Sequence, residues 1–347
     1  MKKRETSRVT IRTVAADAGV SVATASKVLR DAYGVSQSAK DRVRESMRKL
    51  SYRPHAAARG MRGQTYTLGV LLPDLHNPFF DEIMNGVHSF LAATPYQALL
   101  GFGQSQIDQE FALVHNMIDR QMDGLVMVAP RLTGQQIEDI AGQVPTVLIG
   151  LHEPRAINYD TVNNDDFESG RLAVHHLHEG GRRRIVFFSL VLPPSIEEST
   201  IVVHRERGYR AALNELKLGR YSRVVLAGQD RGSIRDQALK LLRSKTRPEA
   251  IFCWTDFVAF EVMSVARELG LSVPDDVAIM GHDNTAFCDL NIASLTSIDQ
   301  SGPLLGEHSA RLLIERIEGR TKAEFLTVVP KIVARGSTKV SAPETVS

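Results

Sequence analysis

The side chains best suited to chemistry in this chain are cations and hydroxyls crowded into its first sixty-three residues. Met1 to Gly63 holds 15 Lys and Arg against 5 Asp and Glu, and the rest holds 27 basic against 35 acidic residues. A total of +2 therefore hides a head of +10 and a body of −8. A compact basic module on an acidic body points to nucleic acid as a partner. Lys27 and the hydroxyls of Thr10, Ser21, Thr24 and Ser26 stand among these cations. Hydroxyls of this kind cap helices or donate to phosphate oxygens, which positions a protein on a duplex without reading its bases.

Such groups need a scaffold, and the head is patterned like one. Thr10 is placed to N-cap a helix carrying Ile11, Val14, Ala15 and Ala18 at helical spacing, and Gly19 ends it. Ser21 is a second N-cap, and a second helix is expected from Val22 to Arg30 with Ala25, Val28 and Leu29 inward. Helix, short glycine-containing turn, helix is the helix-turn-helix pattern, whose second helix enters the major groove. Its outward residues are Val22, Ala23, Thr24, Ser26 and Lys27. A third helix, about Ser38 to Leu50, turns Val43, Met47 and Leu50 inward and Lys40, Arg42, Arg44 and Arg48 outward. This regularity argues against a disordered basic tail.

From about Thr65 the chain alternates strand and helix. Apolar runs recur at 68–72, 98–102, 125–128, 146–149, 185–188, 224–226, 250–254 and 277–280, with helical stretches between them such as 108–120 and 256–269. Continuous apolar strands alternating with helices mean buried parallel sheets covered on both faces. About 280 residues exceed one comfortable core, so two α/β lobes are expected, with the cleft between them as the pocket. Ligands in such sheets bind beyond the carboxyl ends of the strands.

Other chemistries find little support. His175, His176 and His178 resemble a metal cluster, but they lie on one helix with no cysteine near, and no metal or cofactor is expected. Gly101-Phe102-Gly103 lacks the third glycine of a dinucleotide fingerprint, and no Gly-x-Ser-x-Gly, Walker loop or His-Glu-x-x-His is present. Cys253 and Cys288 make no disulfide framework, which suits a reducing compartment. The N-terminus lacks an apolar run of signal-peptide length, and no stretch of about 18 apolar residues suggests a membrane span.

The residues also resemble a known family. Val9 to Leu29, reading VTIRTVAADAGVSVATASKVL, looks like the head of the lac repressor (LacI/GalR) family of bacterial transcription regulators. Leu50 to Arg62, LSYRPHAAARGMR, resembles the family's hinge, and Ala334-Arg335-Gly336-Ser337-Thr338 matches near the C-terminus. The resemblance spans nearly the whole chain, in order and at family spacing. It implies an α/β chain with an all-α helix-turn-helix head and a hinge helix, then a two-lobe periplasmic-binding-protein-like core with parallel sheets.

The hinge illustrates what the resemblance adds. Pro54 disfavours helix at Arg53, and eight Ala-rich residues with Gly60 among them are too few to be stably helical alone. The family implies that paired hinge helices form on DNA, enter the minor groove and wedge an apolar side chain between base steps. Met61 sits at the wedge position, and His55, Ala58 and Arg59 would lie along the groove. Val22 and Ala23 open the recognition helix, where family members set operator choice; both are apolar and suited to a thymine methyl. Lys27 replaces the common Arg.

For the cleft, the resemblance implies effector contacts from Asp74, Asn77, Phe79 and Phe80 after the first strand. It adds Arg205 as the pocket arginine, Trp254 and Asp256 of Trp-Thr-Asp, Asp283 of Gly-His-Asp-Asn as hydroxyl acceptor, and Gln300 on a lobe crossing. Trp254, the only tryptophan, is expected at the mouth. Gly150, Thr255 and Asp230 depart from the pattern, where sugar-responsive members carry Asp, Asn and an aromatic.

The expected organisation is then a helix-turn-helix domain over 1–53, a hinge over 54–64, a core over 65–340 and a tail over 341–347. The core divides into one lobe of about 65–164 and 293–326 and another of about 165–292 and 327–340, with crossings near Asn164, Ile292 and Leu326. The expected function is a cytoplasmic bacterial regulator, a repressor rather than an enzyme, which associates with the nucleoid when bound to operator DNA. A small molecule in the cleft, a sugar or sugar derivative, controls its affinity; a nucleobase or sugar phosphate acting as corepressor is the alternative. An exported solute-binding protein would share the core but not the head. Paired heads on a near-palindrome require a homodimer, with its surface expected on the helices near 79–92 and 258–270. No C-terminal leucine heptad suggests a tetramer.

Overall fold

The chain forms two compact units, Met1–Thr65 and Tyr66–Ser347. The structure, a computed structural model, describes residues 9–29, 32–52, 64–191 and 200–339.

The first unit holds three helices: α1 (Ile11–Asp17), α2 (Val22–Leu29) and α3 (Gln37–Lys49). Thr10 caps α1 in a reciprocal box with Thr13, Gly19 follows it at φ 63°, and Ser36 caps α3. These local devices set helix ends because the first N–H groups have no partner inside the helix. Val14, Ala15, Ala18, Ala25, Val28 and Val43 make one small core. Ser46 donates to the Val14 carbonyl at 3.2 Å, and Lys49 meets Asp17 at 2.7 Å, tying α3 to α1.

The second unit contains two six-stranded sheets. The first has the order β11-β5-β4-β3-β1-β2 and is parallel throughout. Its strands are β1 (Thr67–Leu72), β2 (Gln97–Phe102), β3 (Gly124–Val128), β4 (Thr146–Ile149), β5 (Asp160–Asn164) and β11 (Phe325–Val328). Residues alternate between its two faces. Val70, Val126 and Val147 meet α4 (Phe79–Leu91) and α11 (Gly302–Ile317), while Leu71, Met127 and Leu148 meet α5 (Ile107–Asp119) and α6 (Gly134–Ala141). Gly306 is required where α11 crosses α4, because a Cβ there would lie 1.9 Å from the Ile83 carbonyl oxygen.

The second sheet has the matching order β12-β10-β9-β8-β6-β7. It comprises β6 (Ile185–Leu190), β7 (Arg223–Ala227), β8 (Ala250–Cys253), β9 (Ala278–Asp283), β10 (Thr296–Asp299) and β12 (Lys331–Val333), the last antiparallel to β10. Helices α7 (Asp166–Glu179) and α8 (Ile201–Glu215) cover one face, and α9 (Arg231–Leu242) and α10 (Asp256–Glu268) the other.

Sheet membership moves two of the expected crossings. The first follows Asn164, the end of β5. The second falls at Gln300–Ser301 and not near Ile292, because β10 pairs with β9 before the chain enters α11. The third falls at Val329–Pro330 and not at Leu326, which pairs with Val162 inside the first sheet. Two apolar runs expected to be buried are instead sheet edges: Leu99 and Leu100 on β2 and Leu226 on β7 are about half exposed. Among the described residues, no helix is long and apolar enough to cross a membrane.

Candidate DNA-reading helix and ligand cleft

On the head, α2 turns Ala25 and Val28 into the core and leaves Val22, Ala23 and Lys27 exposed. Ser21 Oγ accepts from the Thr24 N–H at 3.0 Å and lies 2.9 Å from its hydroxyl, so Ser21 caps α2 and Thr24, in the first turn, is held by that cap. Ser26 and Thr24 are half-buried on its flank. Arg42, an outward cation of α3, donates through Nε to the Ala18 carbonyl at 3.2 Å and closes the end of α1. The hinge positions His55, Ala58, Arg59 and Met61 lie outside the described residues, as does Arg30.

In the second unit, the carboxyl ends of the strands from both lobes face one cavity of about 1030 Å³. The first lobe contributes the loops after β1, β2, β3 and β4; the second contributes those after β6, β7, β8 and β9. This is the strand-end placement expected of open parallel sheets. Several non-glycine residues on its wall hold a left-handed backbone: Gln104 and Ser105 at φ 52°, Ala129 at 43° and Asp283 at 115°. Strain of this kind concentrates where a site demands it.

Asp283 is the centre of the polar contacts. Asn77, on the loop after β1, donates to Oδ2 at 2.8 Å, and Gln300, on a crossing, donates to Oδ1 at 2.6 Å. The Asn77–Asp283 bond thus joins the two lobes. Burial, then the neighbouring Asp256 carboxylate, pushes Asp283 well above the ordinary carboxylate range. His282 Nδ1 lies 3.2 Å from Asp283 Oδ1, and burial keeps that imidazole neutral by lowering its pKa well below the usual value.

A second interlobe contact lies at Asp166. Arg205 donates to Asp166 Oδ1 through Nη2 at 2.6 Å and Nε at 3.2 Å, and its Nη1 reaches the Trp254 carbonyl at 2.8 Å. Burial raises the Asp166 pKa, but Arg205 and His152 outweigh it and hold the carboxylate below its usual range. His152, beyond β4 in the other lobe, lies 3.0 Å from Asp166 Oδ2 and stacks on His204 with ring centroids 4.3 Å apart.

Comparison with known proteins follows this division. Residues 10–55 match the family described as bacterial regulatory proteins, lacI family, and residues 174–338 match a periplasmic binding protein-like domain. Catabolite control protein A of Priestia megaterium is 33% identical over 336 residues, which covers 95% of this chain and 99% of that protein. The chain belongs to the lacI family of bacterial regulatory proteins. Among solved structures, the lac repressor dimer bound to operator and the anti-inducer ONPF is 25% identical, with a TM-score of 0.79 over 96% of this chain and 99% of that one. The complex of the transcriptional regulator CelR with cellobiose is 28% identical, with a TM-score of 0.67 over 95% and 100%. The protein is an effector-controlled, DNA-binding transcriptional regulator.

Within this lacI-family cleft, the expected effector residues separate into two groups. Asn77, Phe79, Phe80, Asp283 and Gln300 line the cavity together. Asp74 also lines it, but its Oδ1 accepts the N–H groups of His76 and Asn77, so it shapes the loop. Asp256 does not reach the cavity. It turns toward the neighbouring loop and accepts from Thr285, Cys288 and Ser297, which use both its oxygens. Trp254 lines the cavity but is largely buried, with the Arg205 guanidinium 4.2 Å from its ring centroid. Arg205, 1% exposed, is an internal ion partner before it is a ligand donor.

The departures also have local reasons. Gly150 takes φ 83°, a backbone that favours glycine, and its N–H is held by Asn163 Oδ1 at 2.8 Å. Thr255 and Asp230 are N-caps of α10 and α9. His175, His176 and His178 each find a separate partner, in Glu215, Thr338 and the Arg182 carbonyl. Sequence reasoning passed over Arg131, Tyr159, Asn164 as a wall residue, and Thr200, all of which line the cavity. The position of Arg131, just beyond a strand's carboxyl end, was the available signal.

Proposed function

We propose that this regulator represses transcription as a homodimer and that its effector is a polyhydroxylated small molecule, a sugar or sugar derivative, bound in the cleft. The observation that carries this is the Asn77–Asp283–Gln300 cluster. An acidic acceptor flanked by two amide side chains suits adjacent hydroxyls, and the neighbouring rings of Phe79 and Phe80 suit the apolar face of a sugar. A ligand entering there competes with Asn77 for Asp283, so it has different contacts in different lobe arrangements. An effector changes DNA affinity only through such a difference.

The division of labour assigns 1–53 to DNA reading, 54–64 to a hinge that folds on the operator with Met61 as its wedge, and 65–340 to effector binding and dimerisation. Val22, Ala23 and Lys27 face the bases, while Thr10, Ser21, Thr24 and Ser26 cap helices and contact phosphates. His55, Ala58 and Arg59 track the minor groove. The helices of the expected dimer surface, α4 and α10, bury Ile83, Val87, Val258, Val262 and Val265 inside their own lobes and turn Asp81, Asn85, His88 and Arg267 outward. The exposed apolar edges at Leu99, Leu100 and Leu226 add to that self-association surface. We assign no catalytic activity, in keeping with relatives that are transcriptional regulators. A DNA target places the work in the cytoplasm.

The test titrates full-length protein on an operator selected from fragmented genomic DNA, with a panel of mono- and disaccharides present. One sugar should shift the DNA affinity about fivefold or more, and Asp283→Ala should lose that shift while still binding the operator. Failure of every sugar to shift binding, or an Asp283→Ala response equal to wild type, would overturn the reading.

A further inference from the structure

The wall of the cleft carries three arginines, and two of them are neutralised. Arg205 pairs with Asp166 at 2.6 Å and Arg231 with Glu261 at 2.7 Å. Arg131, between β3 and the N-cap Thr133 of α6, differs. Its backbone N–H is held by Glu110 Oε2 at 2.6 Å, but its guanidinium has no hydrogen-bond or ion-pair partner among the described residues. Burial works against its charge and lowers its pKa, a shift that the nearby Glu110 carboxyl opposes only in part. A guanidinium nevertheless stays protonated, so the cleft holds a partly desolvated cation with five unassigned donors.

The complement of a planar fork of N–H groups is an oxyanion, which it can grip through two parallel bonds. We propose that the effector is an anionic sugar derivative whose carboxylate or phosphate docks on Arg131 while its hydroxyls reach Asp283, Asn77 and Gln300. This rests on the cleft reading above and narrows it. A neutral sugar would leave the guanidinium N–H donors without an oxyanion to grip.

Isothermal titration of the full chain tests this with matched probes: several neutral hexoses, their uronates and their 6-phosphates. For at least one hexose an anionic form should bind about tenfold or more tightly than its parent, the margin of a charge-assisted bidentate contact. The uronate and phosphate arms separate the two sources of negative charge. Arg131→Gln should erase the margin and leave neutral-sugar binding in place, and Arg131→Lys should keep part of it. The ligand-free thermal midpoint of Arg131→Gln should not fall, because a desolvated charge is removed; a clear fall would mark Arg131 as a structural ion partner and overturn the proposal. Neutral sugars binding as tightly as their anions would overturn the charge requirement alone. No binding by any probe, or binding indifferent to both Arg131→Gln and Asp283→Ala, would overturn the cleft reading with it.

Discussion

The carboxyl of Glu110 is expected to make the core lose stability as pH rises through neutrality. Glu110 lies on α5 at 1% exposure, with Oε2 accepting the Arg131 N–H at 2.6 Å and Oε1 without a partner among the described residues. Burial pushes its pKa up to about 7, against a smaller opposing pull from Arg131. The unfolded chain titrates near 4.5. Between those values the folded state holds a proton that the unfolded state has released. The contribution is therefore full below about 4.5, and it is lost as pH climbs through about 7. A rise of about 2.5 in pKa, at roughly 1.4 kcal/mol for each, amounts to about 3.5 kcal/mol. Glu110→Gln keeps the shape and the acceptor but cannot ionise. Its advantage over wild type should be small or negative at pH 5, where a buried amide N–H₂ costs about 1 kcal/mol, and should grow by about 2–3 kcal/mol by pH 8. Urea unfolding of both proteins from pH 5 to 8, followed by Trp254 fluorescence and far-ultraviolet circular dichroism, measures the difference, in which pH effects common to both cancel. A difference that stays constant across that range would refute a carboxyl that folds protonated.

Two further substitutions probe the frame around the cleft. Arg205→Ala should cost roughly 3–5 kcal/mol in urea unfolding, because it leaves Asp166 buried without its ion partner; a variant as stable as wild type, lacking only the effector response, would show that Arg205 serves the ligand alone. Gly306→Ala forces a Cβ against the Ile83 carbonyl and should cost about 3 kcal/mol, whereas Gly142→Ala, in ordinary contact at a helix end, should stay within about 0.5 kcal/mol; equal costs would refute close helix approach as the reason for Gly306.

Features of this protein that depend on near neighbours were legible in its sequence. The head is the clearest example. Thr10, Ser21 and Gly19 act within four residues of themselves, and Val14, Ala25 and Val28 recur at helical spacing, so α1 and α2 could be drawn before any packing was known. The apolar strands were visible for the same reason. The strand Asp160-Thr-Val-Asn-Asn was not: it is polar yet buried throughout. Asp160 is held by Arg316 and Arg320, some 160 positions later, and Asn163 by the backbone of Gly150 and Leu151. The same distinction divides the cleft. Asp256, just past β8, and Asp283, the last residue of β9, both stand at strand ends and read alike. Tertiary contacts alone turn the first toward Thr285 and Ser297 and leave the second between Asn77 and Gln300. The charge of Arg205 and Arg131 is written in the chain. Which of them finds a carboxylate depends on what the two lobes bring alongside, because a charge is neutralised by proximity in space and not by position in sequence.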